Sequence, residues 1–326
     1  MSIGEFDLIA RWFTRAPRDA ARVPLAGGDD CALLAPTPGM QLAVSTDTMV
    51  EGRHFLATVP PERLGHKALA INLSDLAACG AAPLAFTLAL TLPRIDAAWL
   101  DAFARGLWSL ADAHAIDLVG GDTTGGPLAI CITVFGEVPP GQALLRSGAQ
   151  AGDRLWVSHP EGSGIGDARL ALEGFRGSVA LDSGAFESLR QRMETPAPRN
   201  ALGVALRGVA TSAIDLSDGL IGDLGHVLAR SRVGATVDAD ALPTGPLLAA
   251  QSLTLRRECT LAGGDDYELL FTAPASHDDA VRTAAAQGGV AVTCIGHIDA
   301  EPGLRIVDAA GTPLIGRWAG FDHFRE

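Results

Sequence analysis

Apolar positions in this chain recur first at helical and then at strand spacing, and the alternation predicts its elements. Phe6, Ile9 and Phe13 stand at helical spacing and predict an amphipathic helix with its exit over residues 2–22. MQLAVSTDT (Met40–Thr48) predicts a strand that ends in polar residues. Pro61–Gly80 predicts a helix, and Ala97–Ala115 a second one leading into a short strand, IDLVGGD. LAICITVFGEV (Leu128–Val138) alternates as a strand with two different faces.

The pattern then breaks. Val138–Asp153 is rich in Pro, Gly and small residues, which suits a boundary between a domain of residues 1–148 and one of residues 149–326. Beyond it, RLWVSHP predicts a strand and PEGSGIGDARLAL a glycine-rich turn feeding a helix. Residues 173–200 read as helical or irregular. VATSAIDLSDGL reads as strand into turn, GLIGDLGHVLARS as a helix, and the remainder as alternating strand and helix. The class is α+β or mixed α/β in two domains.

Composition narrows the function. With 48% hydrophobic and 19% charged residues, the 326-residue chain is globular. A net charge of −13 argues against a broad grip on nucleic acid or anionic membrane, so a phosphate-bearing ligand needs a local cation. The five cysteines are scattered without a C-x-x-C pair, which predicts reduced thiols, no zinc and a cytoplasmic home. No signal pattern opens the chain. LAACGAAPLAFTLAL, interrupted by Pro83, is too short to span a membrane.

The unusual feature is carboxylates set beside glycines. LAGGDD occurs at Leu25 and at Leu261, with VGGDTT from Val119 between them. Asp30 and Asp265 lie in the two copies of LAGGDD, and Asp122 in VGGDTT. Asp47 closes a strand, and Asp215 and Asp218 bracket Ser217 in IDLSDGL. Asp75 lies in a helix that is apolar on nearly every side, where an unpaired carboxylate costs several kcal/mol. Lys67, the only lysine, is about 12 Å away along the helix axis, so a metal ion answers Asp75 better. Any one of these acids also suits an ordinary turn or helix cap. Seven together, beside Gly, Ser or Thr, point to hard cations held by oxygen in a cleft built from distant segments.

Such cations commonly serve phosphate chemistry. With Lys67 the only lysine, a Walker A loop is excluded. The kinase, HExxH and Gly-x-Ser-x-Gly patterns are also missing. EGSGIGD resembles a phosphate cradle or, equally, a plain turn capping a helix. Arg146 is a candidate for ATP phosphate, and Arg53 and His54, next to the Asp47 strand, for a second substrate.

Six motifs in order (GGDDCALL, STDTMVEGRHF, INLSDLAACGAAP, GGDTT, IDLSDGL and GGDDYELLF) resemble the thiamine-monophosphate kinase family of the aminoimidazole-ribonucleotide-synthetase-like superfamily. The likeness runs from Gly4 to the terminal GFDHF. It implies phosphoryl transfer from ATP to thiamine monophosphate, several Mg²⁺ ions and a homodimer. It also implies N-terminal domains that pair into a shared β-barrel flanked by helices, and a C-terminal α/β domain completing the active cleft. By the resemblance, Asp30, Ser45, Thr46, Asp47, Asp75, Asp122, Asp215 and Asp218 match metal positions. Gly121, Asp122, Arg146 and Ser217 match ATP contacts. His54, Asp265 and Phe321 match contacts to the thiamine phosphate, with Trp318 beside Phe321. Relatives usually carry Glu where Asp265 stands, so Glu268 is an alternative to it. Ala104 stands where many relatives have a tyrosine near the nucleotide.

A phosphate monoester has a second pKa of about 6, so the acceptor oxygen is already an anion at neutral pH and needs no general base. Direct in-line transfer is the expected route. The alternatives are an ATP-dependent synthetase of the same superfamily, a metal-dependent phosphohydrolase and a non-catalytic Ca²⁺ module.

Overall fold

The computed structural model describes residues 4–316, 318 and 320. The chain divides into two compact units, Met1–Leu76 with Ala81–Gly141, and Ala77–Gly80 with Gln142–Glu326.

The first unit contains α1 (Glu5–Trp12), β1 (Gln41–Val50), α2 (Pro61–Ala78, whose last residues belong to the second unit), β2 (Ala82–Leu92), α3 (Ala97–Ala113), β3 (Asp117–Gly125) and β4 (Ala129–Val138). Its sheet has the order β1-β4-β2-β3, with β2 and β3 parallel and the other pairs antiparallel. One face is built from Met49, Leu88, Leu90, Ile130, Ile132 and Val134, all buried. The alternate residues Thr46, Thr48 and Ala89 are exposed, as strand period requires. The sheet is open, with β1 and β3 at its edges, so one chain does not close a barrel.

Helices α2 and α3 approach backbone to backbone. A Cβ on Gly65 would lie 2.0 Å from the Phe103 carbonyl oxygen, and one on Gly106 would lie 1.8 Å from that of Glu62. Asp96 caps α3 by accepting from Ala98 and Trp99 N–H. The first helix is shorter than residues 2–22. Its buried residues are Leu8 and Trp12, one turn apart, while Phe6 is 83% exposed. Trp12 Nε1 donates to Asp101 (2.6 Å), which selects that face over the Phe6 face.

The second unit contains β5 (Asp153–His159), α4 (Asp167–Phe175), α5 (Ser183–Glu194), α6 (Asn200–Ala205), β6 (Ser212–Asp215), α7 (Leu220–Ser231), β7 (Gly234–Asp238), α8 (Pro246–Ala249), α9 (Leu253–Ala262), β8 (Leu269–Pro274), α10 (Asp278–Gly288), β9 (Ala291–Asp299) and β10 (Gly303–Val307). The six-stranded order is β10-β7-β9-β5-β8-β6, parallel only between β10 and β7. Its central strands are buried on both faces. Leu155 and Val157 of β5 enter one core with Leu224 and Val227 of α7, and Trp156 enters another with Leu202 of α6 and Val281 of α10. That accounts for the nearly continuous burial of β6 and β8 and for the apolar run of β8. Among the described residues, no helix is long and apolar enough to cross a membrane.

Candidate active site

The first acidic group forms between β1 and α2. Strand period puts Ser45 and Asp47 on the face of β1 that the helices cover. The Ser45 hydroxyl donates to Asp75 Oδ2 on α2. Asn72, three residues before Asp75 and so on the same side of α2, accepts the Asp47 N–H at 3.1 Å. Its own amide donates back to the Ala68 carbonyl (3.0 Å), which fixes the side chain. Asp47 and Asp75 are both half-buried.

Thr46 points the other way, and its hydroxyl pairs with that of Thr133 on β4 at 2.8 Å. Asp122 also belongs to that other face, because register places it in one row with Ala89, Cys131 and Thr48. Asp47 lies in the adjacent row, with Ile132, Leu88 and Gly121. Three strand spacings, about 14 Å, separate β1 from β3.

The three Gly-Gly-Asp repeats adopt three different conformations. In the first, residues 27–30 form a bend inside a loop closed by the Leu25–Leu33 bridge, and Asp30 is exposed. This bend lies against β3: a Cβ on Gly27 would be 3.7 Å from the Val119 carbonyl oxygen. In the second, Gly120, Gly121 and Asp122 are inside β3 rather than on a turn. Gly121 has φ +149°, and a Cβ there would lie 1.8 Å from the Leu88 carbonyl oxygen. Here glycine permits close pairing of two strands. The third repeat leaves α9 and carries two non-glycine residues in the left-handed region, Asp265 (φ +70°) and Tyr267 (φ +53°).

In the second unit, that third repeat runs beside the IDLSDGL turn. Asp265 N–H donates to Ser217 O and Tyr267 N–H to Leu216 O, both at 2.8 Å, and Leu216 N–H donates to Glu268 O. Asp215, Ser217, Asp218 and Asp265 are thereby gathered in one place. Asp215 is 5% exposed, and the other three are half-buried. From the opposite side, buried Asp223 accepts the N–H groups of Ser217 (3.1 Å) and Asp218 (3.2 Å). Burial, followed by the neighbouring Asp218 carboxylate, pushes Asp223 up to about 7.

His54 sits in the turn after β1, where its Nδ1 accepts the Val50 N–H at 2.9 Å. The neutral ring therefore carries its proton on Nε2. Arg146 is exposed, and its carbonyl accepts from Ser231 Oγ (3.3 Å). Glu268 is committed elsewhere: it is 2% exposed and takes Ser158 Oγ (2.6 Å) and the guanidinium of Arg199 (2.7 Å to Nε). The EGSGIGD turn is likewise occupied. Ile165 N–H bonds Pro243 O, and Gly166 N–H reaches both oxygens of Asp266 (2.9 and 3.1 Å). Burial raises the Asp266 carboxyl well above its ordinary range. Phe321 lies outside the described residues. Trp318 is half-buried against the core of the second unit, and nearby Gly320 crosses α7, its Cα 3.0 Å from where a Cβ on Gly222 would be.

Asn72, Thr133, Asp223 and Asp266 were missed in the sequence. Asn72 was visible from its helical spacing to Asp75. Thr133 and Asp266 depend on tertiary contacts that spacing does not encode, and Asp223 on local backbone N–H groups that every residue carries.

The donor set suits a hard divalent cation, since Ser45, Asp47 and Asp75 offer only oxygen and two of their side chains already touch. Among the described residues, no three His, Cys, Asp or Glu side chains form a complete metal cage.

Family models describe the same two parts. Residues 28–138 match the AIR synthase related protein N-terminal domain, and residues 150–309 its C-terminal domain. A thiamine-monophosphate kinase of Salmonella typhimurium is 46% identical over 328 residues, covering 99% of each chain. The crystal structure of a thiamine-monophosphate kinase from Stenotrophomonas maltophilia K279a is 44% identical, with a TM-score of 0.83 over 91% of this chain and 93% of that one. The structure of AaThiL complexed with AMPPCP and TMP is 27% identical, with a TM-score of 0.76 over 89% of both chains. With such identity along nearly the whole length, the chain belongs to the thiamine-monophosphate kinase family of AIR synthase related proteins.

Proposed function

We propose that the chain transfers the γ-phosphoryl group of ATP directly to thiamine monophosphate, giving ADP and thiamine diphosphate. The observation that carries this reading is family-wide identity, joined to acids held in place within each unit: Asp47 and Asp75 by Asn72 and Ser45 in the first, and the Ser217–Asp218 turn by Asp223 in the second. The complex of AaThiL with AMPPCP and TMP supports ATP and thiamine monophosphate as the substrate pair.

Asp30, Ser45, Thr46, Asp47, Asp75, Asp122, Asp215 and Asp218 are the proposed holders of several Mg²⁺ ions. Bound Mg²⁺ would neutralise phosphate charge, where unscreened like charges 4 Å apart repel by about 4 kcal/mol per pair at an effective dielectric of 20. The chain's own residues do the remaining work. Gly121, Asp122, Arg146 and Ser217 are the proposed ATP contacts. Since the Ser217 N–H is taken by Asp223, its hydroxyl is the group left to face a phosphate. His54 would donate from Nε2 to the acceptor phosphate. Asp265 and Phe321 are assigned to the thiamine end. The acceptor oxygen is already anionic, so no residue is asked to remove a proton.

The edge strand β1 supports a homodimer. Leu42 is 44% and Val44 57% exposed on it, and pairing of two open sheets along such an edge would close a barrel. Phosphorylated small-molecule substrates and cysteines kept as thiols suit a cytoplasmic enzyme.

The test is product analysis with Mg-ATP and either thiamine or thiamine monophosphate. Thiamine diphosphate and ADP in equal amounts, formed only from the monophosphate, is the expected result. Inorganic phosphate released without acceptor would replace this reading with a phosphohydrolase.

A further inference from the structure

The Leu216–Asp218 turn is held from two sides by different kinds of group. On one side the bonds are backbone to backbone, from Asp265 and Tyr267 N–H and to Glu268 O. On the other side a side chain takes over. One oxygen of Asp223, itself 3% exposed, receives both the Ser217 and the Asp218 N–H. Asp223 is anchored in turn, because its own N–H bonds Gly219 O (3.0 Å) in the first turn of α7. Successive N–H groups converging on one point make a nest that ordinarily takes an anion. Here a carboxylate from the same chain fills the nest, and the Ser217 and Asp218 side chains are what the turn has left to present.

We infer that Asp223 is a positioning residue that fixes where the Ser217 hydroxyl and the Asp218 carboxylate stand, and so sets affinity for the nucleotide rather than for thiamine monophosphate. This rests on the ATP and metal roles proposed above for Ser217 and Asp218. Without the Asp223 acceptor, two part-buried N–H groups lose their partner, and the turn relaxes toward water or toward the incoming phosphate. The acceptor side is spared, because the Asp265 and Tyr267 bonds are made by backbone atoms that the substitution leaves in place.

The test uses the full-length chain. Mg-ATP binding is measured by titration calorimetry without acceptor, alongside both KM values and thermal unfolding. Asp223→Ala should weaken ATP binding about tenfold, matching the loss of two part-buried hydrogen bonds, and leave the acceptor KM within about twofold. Asp223→Asn keeps an acceptor oxygen and should stay within about threefold of wild type for ATP. Should the alanine variant not fold, Asp223→Glu decides: it keeps the carboxylate but pushes the turn by about one bond length, roughly 1.5 Å, and should raise the ATP KM selectively. A purely structural role would lower Tm and leave the ratio of the two KM values unchanged. Unchanged ATP affinity in folded Asp223→Ala or Asp223→Glu, equal rises in both KM values, or a loss in Asp223→Asn as large as in Asp223→Ala would each overturn the inference. If the wild-type chain does not catalyse the transfer, the functional reading fails first. If it does and the variants are unaffected, only the role of Asp223 falls.

Discussion

Replacing Asp75 by Asn separates the functional from the structural use of this residue. The side chains are nearly isosteric, and the Asn carbonyl oxygen can still accept the Ser45 hydroxyl. What disappears is one negative charge on a half-buried carboxylate of α2, next to Leu76 at 1% exposure and Ser74 at 0%. If that charge faces a cation at about 4 Å, an effective dielectric of 20 makes it worth about 4 kcal/mol. At 1.36 kcal/mol per decade, this is a fall in kcat of about a thousandfold. Stability should move little, or rise by up to about 1 kcal/mol, because a charge is removed from a partly desolvated place. The assay is steady-state formation of thiamine diphosphate, paired with thermal unfolding of the same preparation. Activity above about a tenth of wild type would refute the metal role, since even one lost charge-assisted contact should exceed that. A large fall in stability alongside lost activity would make Asp75 a structural acid.

Other predictions follow from the same geometry. His54→Ala should raise the KM for thiamine monophosphate more than that for ATP, and the opposite split, measured in the same assay, would reject the placement of His54. Gly121→Ala should unfold or grossly destabilise the first unit, by more than about 3 kcal/mol in urea titration. The added Cβ would meet Leu88 O at 1.8 Å, and near-normal stability would contradict that contact. Glu137 accepts from Thr37 N–H (2.6 Å) and pairs with Arg22 (2.6 Å). Burial pushes its carboxyl up, but the Thr37 and Arg22 contacts together outweigh it and hold the group below its ordinary value. A depressed folded value stabilises the protein above the ordinary carboxylate range, and the benefit is lost as pH falls through the folded value. Glu137→Gln should therefore cost about 2 kcal/mol at neutral pH, and the gap from wild type should close in acid. A gap that widens in acid would reverse the assignment.

Much of this site was legible in the sequence, for identifiable reasons. An acid inside ALAINLSDLAAC, a helix apolar on nearly every side, marks Asp75 and calls for a cation; the structure shows the Ser45 hydroxyl of β1 donating to that carboxylate. Strand period alone already puts the side chains of Ser45 and Asp47 on one face of β1 and that of Thr46 on the other. The Gly-Gly-Asp repeats were misleading. Identical letters form a bend, a strand and a helix exit, because glycine admits all three and the neighbours choose. The same holds for EGSGIGD, where Gly164 and Gly166 make room for the Pro243 and Cys259 backbones and the Gly166 N–H is given to Asp266. Asp223 stayed hidden because its partners are backbone N–H groups, which every residue carries.

The central claim is that these acids serve one direct transfer between two phosphates. A single turnover with ATP labelled in its γ-phosphate, excess enzyme, Mg²⁺ and thiamine monophosphate, quenched over time, tests it most directly. The label should pass from ATP into thiamine diphosphate with matching rates of loss and gain. Label accumulating first on the denatured protein, or appearing as free phosphate, would contradict the account.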